Sequence, residues 1–192
     1  VSVFQDGKRF ITGNRCDRPI TGKSNDDTLN LYAYKQQQLS QLMKNPGNGT
    51  RGKIGIPMVL NMYELLPFWH AFFTSLGFQV IVSPFSNRKL YQAGQGSIPS
   101  DTVCFPAKLT HGHIMALLKK DVDAIFYPCM SYNIDEGLGD NHYNCPVVAY
   151  YPEVLAGNIR ELEDTKFIYE YLNLEQRKDF VRLMPKIMQK YF

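Results

Sequence analysis

Lys53-Ile54-Gly55-Ile56-Pro57-Met58-Val59-Leu60, then Tyr63 to Leu76, Gly77, and Phe78-Gln79-Val80-Ile81-Val82-Ser83, is the stretch that decides the fold. Lys53 to Leu60 reads as a buried strand. Tyr63 to Leu76 carries Leu66, Phe68, Trp69, Phe72 and Phe73 and reads as a helix packed on a sheet, with Gly77 placed to cap its C-terminus. Phe78 to Ser83 reads as a second strand. A strand, helix, strand unit of this kind implies parallel strands joined by a right-handed crossover.

Beyond that unit, Asn87 to Ala93 reads as a short helix, Ala107 to Lys119 as a longer one, Val122 to Tyr127 as a third strand and Val147 to Tyr151 as a fourth. The alternation predicts an α/β fold: an open, mainly parallel, Rossmann-like sheet in three layers over residues 51–160. From Asp164 the spacing of Phe167, Ile168, Tyr171, Leu172, Phe180, Leu183, Met184 and Ile187 predicts a helical extension over residues 161–192, whose apolar face needs a partner surface. On the N-terminal side, Leu31, Tyr34, Leu39 and Leu42 mark a linker helix within residues 29–50, stopped by Asn45-Pro46-Gly47-Asn48-Gly49. Residues 1–28 read as a small appendage, a β-hairpin turning at Asp6-Gly7 and ending at Gly13-Asn14-Arg15-Cys16.

The 192 residues, 44% of them hydrophobic, suffice for one sizeable core and an appendage. Strongly apolar stretches such as Phe68 to Phe73 fall far short of the roughly 20 residues that cross a bilayer, and no signal-peptide pattern opens the chain. The net charge of +3 comes from dispersed basic residues, without the dense stripe of a nucleic-acid footprint. Neither nucleic acid nor membrane is an expected partner. The four cysteines, in a chain with an ample core and no secretory signal, are expected to stay reduced in the cytoplasm. The opening at Val1, without an initiator Met and directly in a strand-like pattern, implies a piece of a longer protein.

Three cysteines lie near prolines at the edges of apolar segments: Cys104-Phe105-Pro106, Pro128-Cys129 and Cys145-Pro146. Cys104 precedes a helix and Cys129 ends the third strand 25 residues later. In open α/β sheets, strand carboxyl ends and the helix N-termini that follow them are where ligands bind, and a helix N-terminus favours thiolate. Thiolates suit soft metals and iron–sulfur clusters. The competing reading is packing, because cysteine is often buried as a small hydrophobe. Cys145 starts the expected fourth strand, which would put it on the opposite edge of the sheet unless the polar segment Ser131 to Asn144 folds back. Three thiolates on a [4Fe-4S] cluster would leave one iron open. Zinc is the alternative cofactor, although the C-x-x-C pairs typical of structural zinc are missing. His111, His113 and His142 are candidate proton donors near such a site, His70 reads as core, and Gly94 and Gly96 read as turns. No Walker loop, nucleophile elbow or dinucleotide fingerprint is present.

Several strings occur together in one order: Phe10-Ile11-Thr12-Gly13-Asn14-Arg15-Cys16, Gly55-Ile56-Pro57-Met58-Val59-Leu60-Asn61-Met62-Tyr63-Glu64, Pro67-Phe68-Trp69, Ile98-Pro99-Ser100-Asp101-Thr102-Val103-Cys104-Phe105-Pro106-Ala107-Lys108, His111-Gly112-His113, Phe126-Tyr127-Pro128-Cys129 and Asn141-His142-Tyr143-Asn144-Cys145-Pro146. Over about residues 4–155 they resemble the middle region of large proteins known as CoA-substrate-specific enzyme activases, related to 2-hydroxyacyl-CoA dehydratases. The resemblance implies an anaerobic bacterial origin and a dehydratase-like segment. Its partners would be ATPase activase modules, the remaining dehydratase-like regions of the parent chain and an acyl-CoA thioester. It further implies a [4Fe-4S] cluster for low-potential electron transfer in 2-hydroxyacyl-CoA dehydration. Cys104 and Cys129 resemble cluster-proximal cysteines of the dehydratase subunits, and Cys145 matches its string in the activase family. Cys16 is expected to be a metal ligand whose partner cysteines lie upstream in related proteins. With no ATPase motif, this piece is not expected to be the activase itself, and alone it is expected to be inactive. The alternatives are a docking or regulatory domain of the same large protein and a zinc-stabilised structural domain.

Overall fold

A computed structural model describes residues 2–10 and 29–192. The chain divides into two compact units, Val1–Gln37 and Gln38–Phe192. In the first, strands β1 (Ser2–Val3) and β2 (Arg9–Phe10) pair antiparallel, Ser2 opposite Phe10. The turn between them runs through Gly7 at φ +78°, a left-handed conformation that glycine adopts without steric cost, while Asp6 Oδ1 accepts from the Lys8 amide at 3.0 Å. The expected end of this hairpin at Gly13 to Cys16 lies outside the described residues. Helix α1 (Leu31–Lys44) follows.

The second unit is an open sheet of four parallel strands flanked by helices. In chain order it runs β3 (Lys53–Ile56), α2 (Leu60–Ser75), β4 (Gln79–Val82), α3 (Arg88–Gly94), α4 (Phe105–Leu118), β5 (Ala124–Phe126), α5 (Pro146–Asn158), β6 (Lys166–Ile168) and α6 (Arg177–Tyr191). The strand order is β4-β3-β5-β6. Ile54 lies opposite Val80 on one side and Ala124 on the other, and Ala124 lies opposite Lys166. The chain thus winds from β3 outward to β4, returns, and continues outward from β5, which makes the gap between β3 and β5 the topological switch point.

The β3, α2, β4 unit is the one expected. Its helix ends in a Schellman arrangement: the Gly77 amide donates to Thr74 O and the Phe78 amide to Phe73 O, each at 3.0 Å, with Gly77 at φ +85°. The buried face of α2 sets Trp69 and Phe73 against Phe126 of β5, with ring centroids 4.6 and 4.9 Å apart. Both aromatic side chains are fully buried. The partner surface that α6 requires is the same helix, since Phe180 packs on Phe68, Trp69 and Phe72.

Two expected elements are different. Val147 to Tyr151 is not a strand but the first part of α5. Pro146 opens that helix, where a missing amide proton costs nothing, and Ala149, Pro152 and Leu155 face inward at helical spacing. The run of β-branched and aromatic residues is too short to outweigh that longer period. The fourth strand is β6, within the tail expected to be helical from Asp164. Phe167 and Ile168 are both buried as neighbours, as in a strand covered on two faces, and helix begins only at Arg177. No helix among the described residues is long and apolar enough to cross a membrane.

Candidate functional site

In a parallel sheet, the segment that leads from one strand to the next starts at the carboxyl edge, and so do the helices within it. Cys104 is the N-cap of α4, which runs back toward β5, and Cys145 is the N-cap of α5, which runs back toward β6. Cys129 follows β5 at its carboxyl end, where its amide donates to Glu170 O at 3.1 Å and its carbonyl accepts from the Leu172 amide at 3.0 Å. All three therefore lie on one edge of the sheet. The opposite-edge placement of Cys145 is overturned, because it rested on a strand that is in fact a helix. The polar loop between Cys129 and Cys145 does fold back. Tyr132 bridges Tyr143, the Asn144 amide donates to Ser131 O at 2.9 Å, and Asn144 Nδ2 donates to Met130 O at 2.8 Å. Each cysteine thus adjoins one end of the closed loop.

Cys104 and Cys145 are exposed and Cys129 is buried. The Sγ of Cys145 accepts from the Val148 amide at 3.5 Å, so this thiol already faces the unpaired amides of a helix start. Burial pushes the Cys129 thiol up to about 11; the Glu153 carboxylate reinforces the shift and a backbone hydrogen bond from Glu153 opposes it. Tyr127 and Tyr151 stand among these thiols. Burial raises Tyr127 most, with further contributions from Cys129, Tyr151 and Cys145, while Tyr151 is raised by burial and by Cys104. The Tyr127 hydroxyl is buried without a hydrogen-bond partner. Burial thus holds the protons of Cys129, Tyr127 and Tyr151 in place at neutral pH.

Of the three candidate histidines, two are held neutral by burial. His111 and His113 are completely buried on α4, and burial lowers each to about 4, so both are neutral at pH 7. Ser97 Oγ donates to Gly94 O at 3.0 Å and must therefore accept from His111 Nδ1, 2.8 Å away. That fixes the tautomer: His111 Nε2 carries no proton and accepts from the Tyr151 hydroxyl at 3.0 Å. His113 lies between Ser83 Oγ at 2.6 Å and Ser86 Oγ at 2.9 Å. His142 faces Asp135 at 3.5 Å in the loop. His70 is core, its Nε2 2.8 Å from Asn45 O. Gly94 is not a turn but a buried contact: a Cβ there would run into the backbone of Gly112, and one on Gly112 into Leu90 O. This close approach of α3 and α4 sets the depth of the two histidines.

A model for a CoA enzyme activase uncharacterised domain (DUF2229) matches residues 53–191. The chain belongs to that family. The match runs from the first strand of the parallel sheet to the end of α6 and takes in Cys104, Cys129 and Cys145, so the carboxyl edge is part of the activase-associated domain proper. No curated protein and no solved structure matches the chain. Among the described residues, no three His, Cys, Asp or Glu side chains are grouped to hold a metal ion. Cys16, expected to be a metal ligand with partner cysteines upstream, lies outside the described residues.

Proposed function

We propose that this domain holds a [4Fe-4S]-type cluster through Cys104, Cys129 and Cys145. It would serve low-potential electron transfer in a dehydratase-like system that acts on 2-hydroxyacyl-CoA thioesters, beside the ATPase activase modules of a larger cytoplasmic protein. The observation that supports this reading is the placement of three cysteines, far apart in sequence, along one edge of a parallel sheet. The donor set fits in kind: three thiols, two of them at helix N-caps. Such a cluster, when bound, exchanges one electron at a potential set by its ligands, hydrogen bonds and exposure. The chain's own part is to surrender three thiol protons, that of Cys129 against the pull of burial and of Glu153, and to surround the site with Tyr127 and Tyr151.

The test is iron, acid-labile sulfide and zinc analysis of protein reconstituted without oxygen, beside Cys104→Ala and Cys129→Ala. About four iron and four sulfide per chain are expected, falling in either variant. Iron-free protein under those conditions overturns the proposal. A docking module would lose only packing stability in the same variants.

A further inference from the structure

The strand order β4-β3-β5-β6 leaves β6 at an end of the sheet. Its pairing with the β5 segment continues beyond the strand. Ile168 O accepts from the Tyr127 amide at 2.9 Å, Glu170 O accepts from the Cys129 amide at 3.1 Å, and the Leu172 amide donates to Cys129 O at 3.0 Å. Backbone direction alternates along an extended chain, so the amides and carbonyls of Phe167, Tyr169 and Tyr171 face away from β5. Among the described residues, no strand, loop or side chain pairs with these groups. A cavity of about 470 Å³ opens beside Phe167 and Tyr169, and Tyr169 and Tyr171 are 37% and 51% exposed. An open edge of this kind is a template for another strand, and natural proteins usually shorten, charge or cover it.

We propose that β6 pairs antiparallel with β6 of a second copy of this chain, about a two-fold axis at Ile168, joining two four-stranded sheets into one. In that register Phe167 of each copy lies opposite Tyr169 of the other, and the two residues exchange both backbone hydrogen bonds. Their rings, stacked with centroids 5.3 Å apart within each chain, then meet across the strands, where aromatic pairs are favourable. On the other face Lys166 lies opposite Glu170 of the second copy, twice by symmetry. Both charges are able to pair. Lys166 forms no ion pair among the described residues and holds its Nζ 5.1 Å from the centroid of the Phe192 ring. Glu170 accepts from Lys190 Nζ at 2.6 Å and from the Tyr191 hydroxyl at 3.0 Å, both through Oε1, which leaves Oε2 for the incoming ammonium. Charge also selects the register. Moving the axis to Tyr169 sets Ile168 against Glu170, and moving it to Phe167 sets Asp164 against Glu170. The pairing rests on the sheet edge alone and is independent of any metal.

The experiment is sedimentation equilibrium of the metal-free 192-residue chain. A strand edge is a small interface, so wild type should pass from monomer to dimer with a Kd of about 10–100 µM. Lys166→Glu and Glu170→Lys each set like charges opposite one another and should weaken dimerisation about tenfold or more. Mixed in equal amounts, the two variants regain both opposite-charge pairs and should form dimers about as tightly as wild type. A residue that acts only within its own chain gives no such recovery. Because Glu170→Lys also gives up the bond to Lys190, amide hydrogen exchange of wild type supplies a second reading. The amides of Phe167 and Tyr169 should exchange about tenfold more slowly well above the Kd than well below it. A chain that stays monomeric throughout, its edge left to a strand of another protein, overturns the proposal. So does a dimer that both variants leave intact, a mixture of folded variants no tighter than either alone, or exchange at the two amides that is the same at both concentrations.

Discussion

Acid should unfold this domain early, and the reason lies in two side chains. His111 and His113 are completely buried and neutral, each held at about 4 against an ordinary 6.5. Their native pKa values are depressed, so the stability they contribute is present above pH 6.5 and is lost as pH falls toward 4, because the unfolded chain takes up the proton first. At 1.36 kcal/mol per pKa unit, lowering the pH from 7 to 5 costs about 2 kcal/mol per histidine, or about 4 kcal/mol for the pair. That is a large share of the 5–15 kcal/mol typical of a domain. The assay is urea denaturation at pH 7 and 5, comparing midpoints at constant slope, for wild type and His111→Asn. An Asn amide is able to keep the donor to Ser97, while the acceptor for the Tyr151 hydroxyl is lost. The variant starts less stable but should lose about 2 kcal/mol less between the two pH values. If wild type and variant lose the same amount, the histidine account of the acid slope is wrong.

Tyr127→Phe should leave the metal-free domain as stable as wild type or more stable by about 1 kcal/mol, since the hydroxyl it removes is buried and unpaired; a thermal melt showing destabilisation refutes this. At the alkaline end, Cys129 is raised to about 11, so metal-free stability declines from about pH 9 as the unfolded thiol ionises first, and Cys129→Ala removes that part of the slope in a urea series. Gly112→Ala places a methyl against Leu90 O and should cost more than about 3 kcal/mol or prevent folding, read as lost cooperativity in the melt; a variant as stable as wild type refutes the close approach of α3 and α4.

How much of this was legible in the sequence varied with element length. The β3, α2, β4 unit was readable because its helix spans sixteen residues with one continuous aromatic face and ends on a glycine. Strand β6 was not, because Phe167, Ile168, Tyr171 and Leu172 fit the helical period while only three residues are paired as a strand. The neutral state of His111 and His113 was also hidden. It depends on Gly94 meeting Gly112, a contact between two helices that no local pattern reports, although the His-Gly-His triplet and the lone Gly94 carried part of the signal.

The misreading of five residues had a consequence larger than its size. In a parallel sheet every strand begins at one edge and the segment leading to the next strand begins at the other, so mistaking α5 for a strand moved Cys145 across the full length of the strands. With Pro146 opening a helix, Cys145 becomes a cap, and a cap in an αβ crossover must face the carboxyl edge. Cys104-Phe105-Pro106 and Cys145-Pro146 are then two versions of one local device: a thiol at the N-cap followed by a proline in the first turn. Cys129 differs from both, being buried at a strand end with its thiol held protonated by its surroundings. Two thiols open to solvent and one enclosed form an asymmetric set. If the set binds metal as proposed, each thiol gives up a proton, and that of Cys129 is the one that burial holds back, so binding should weaken as pH falls.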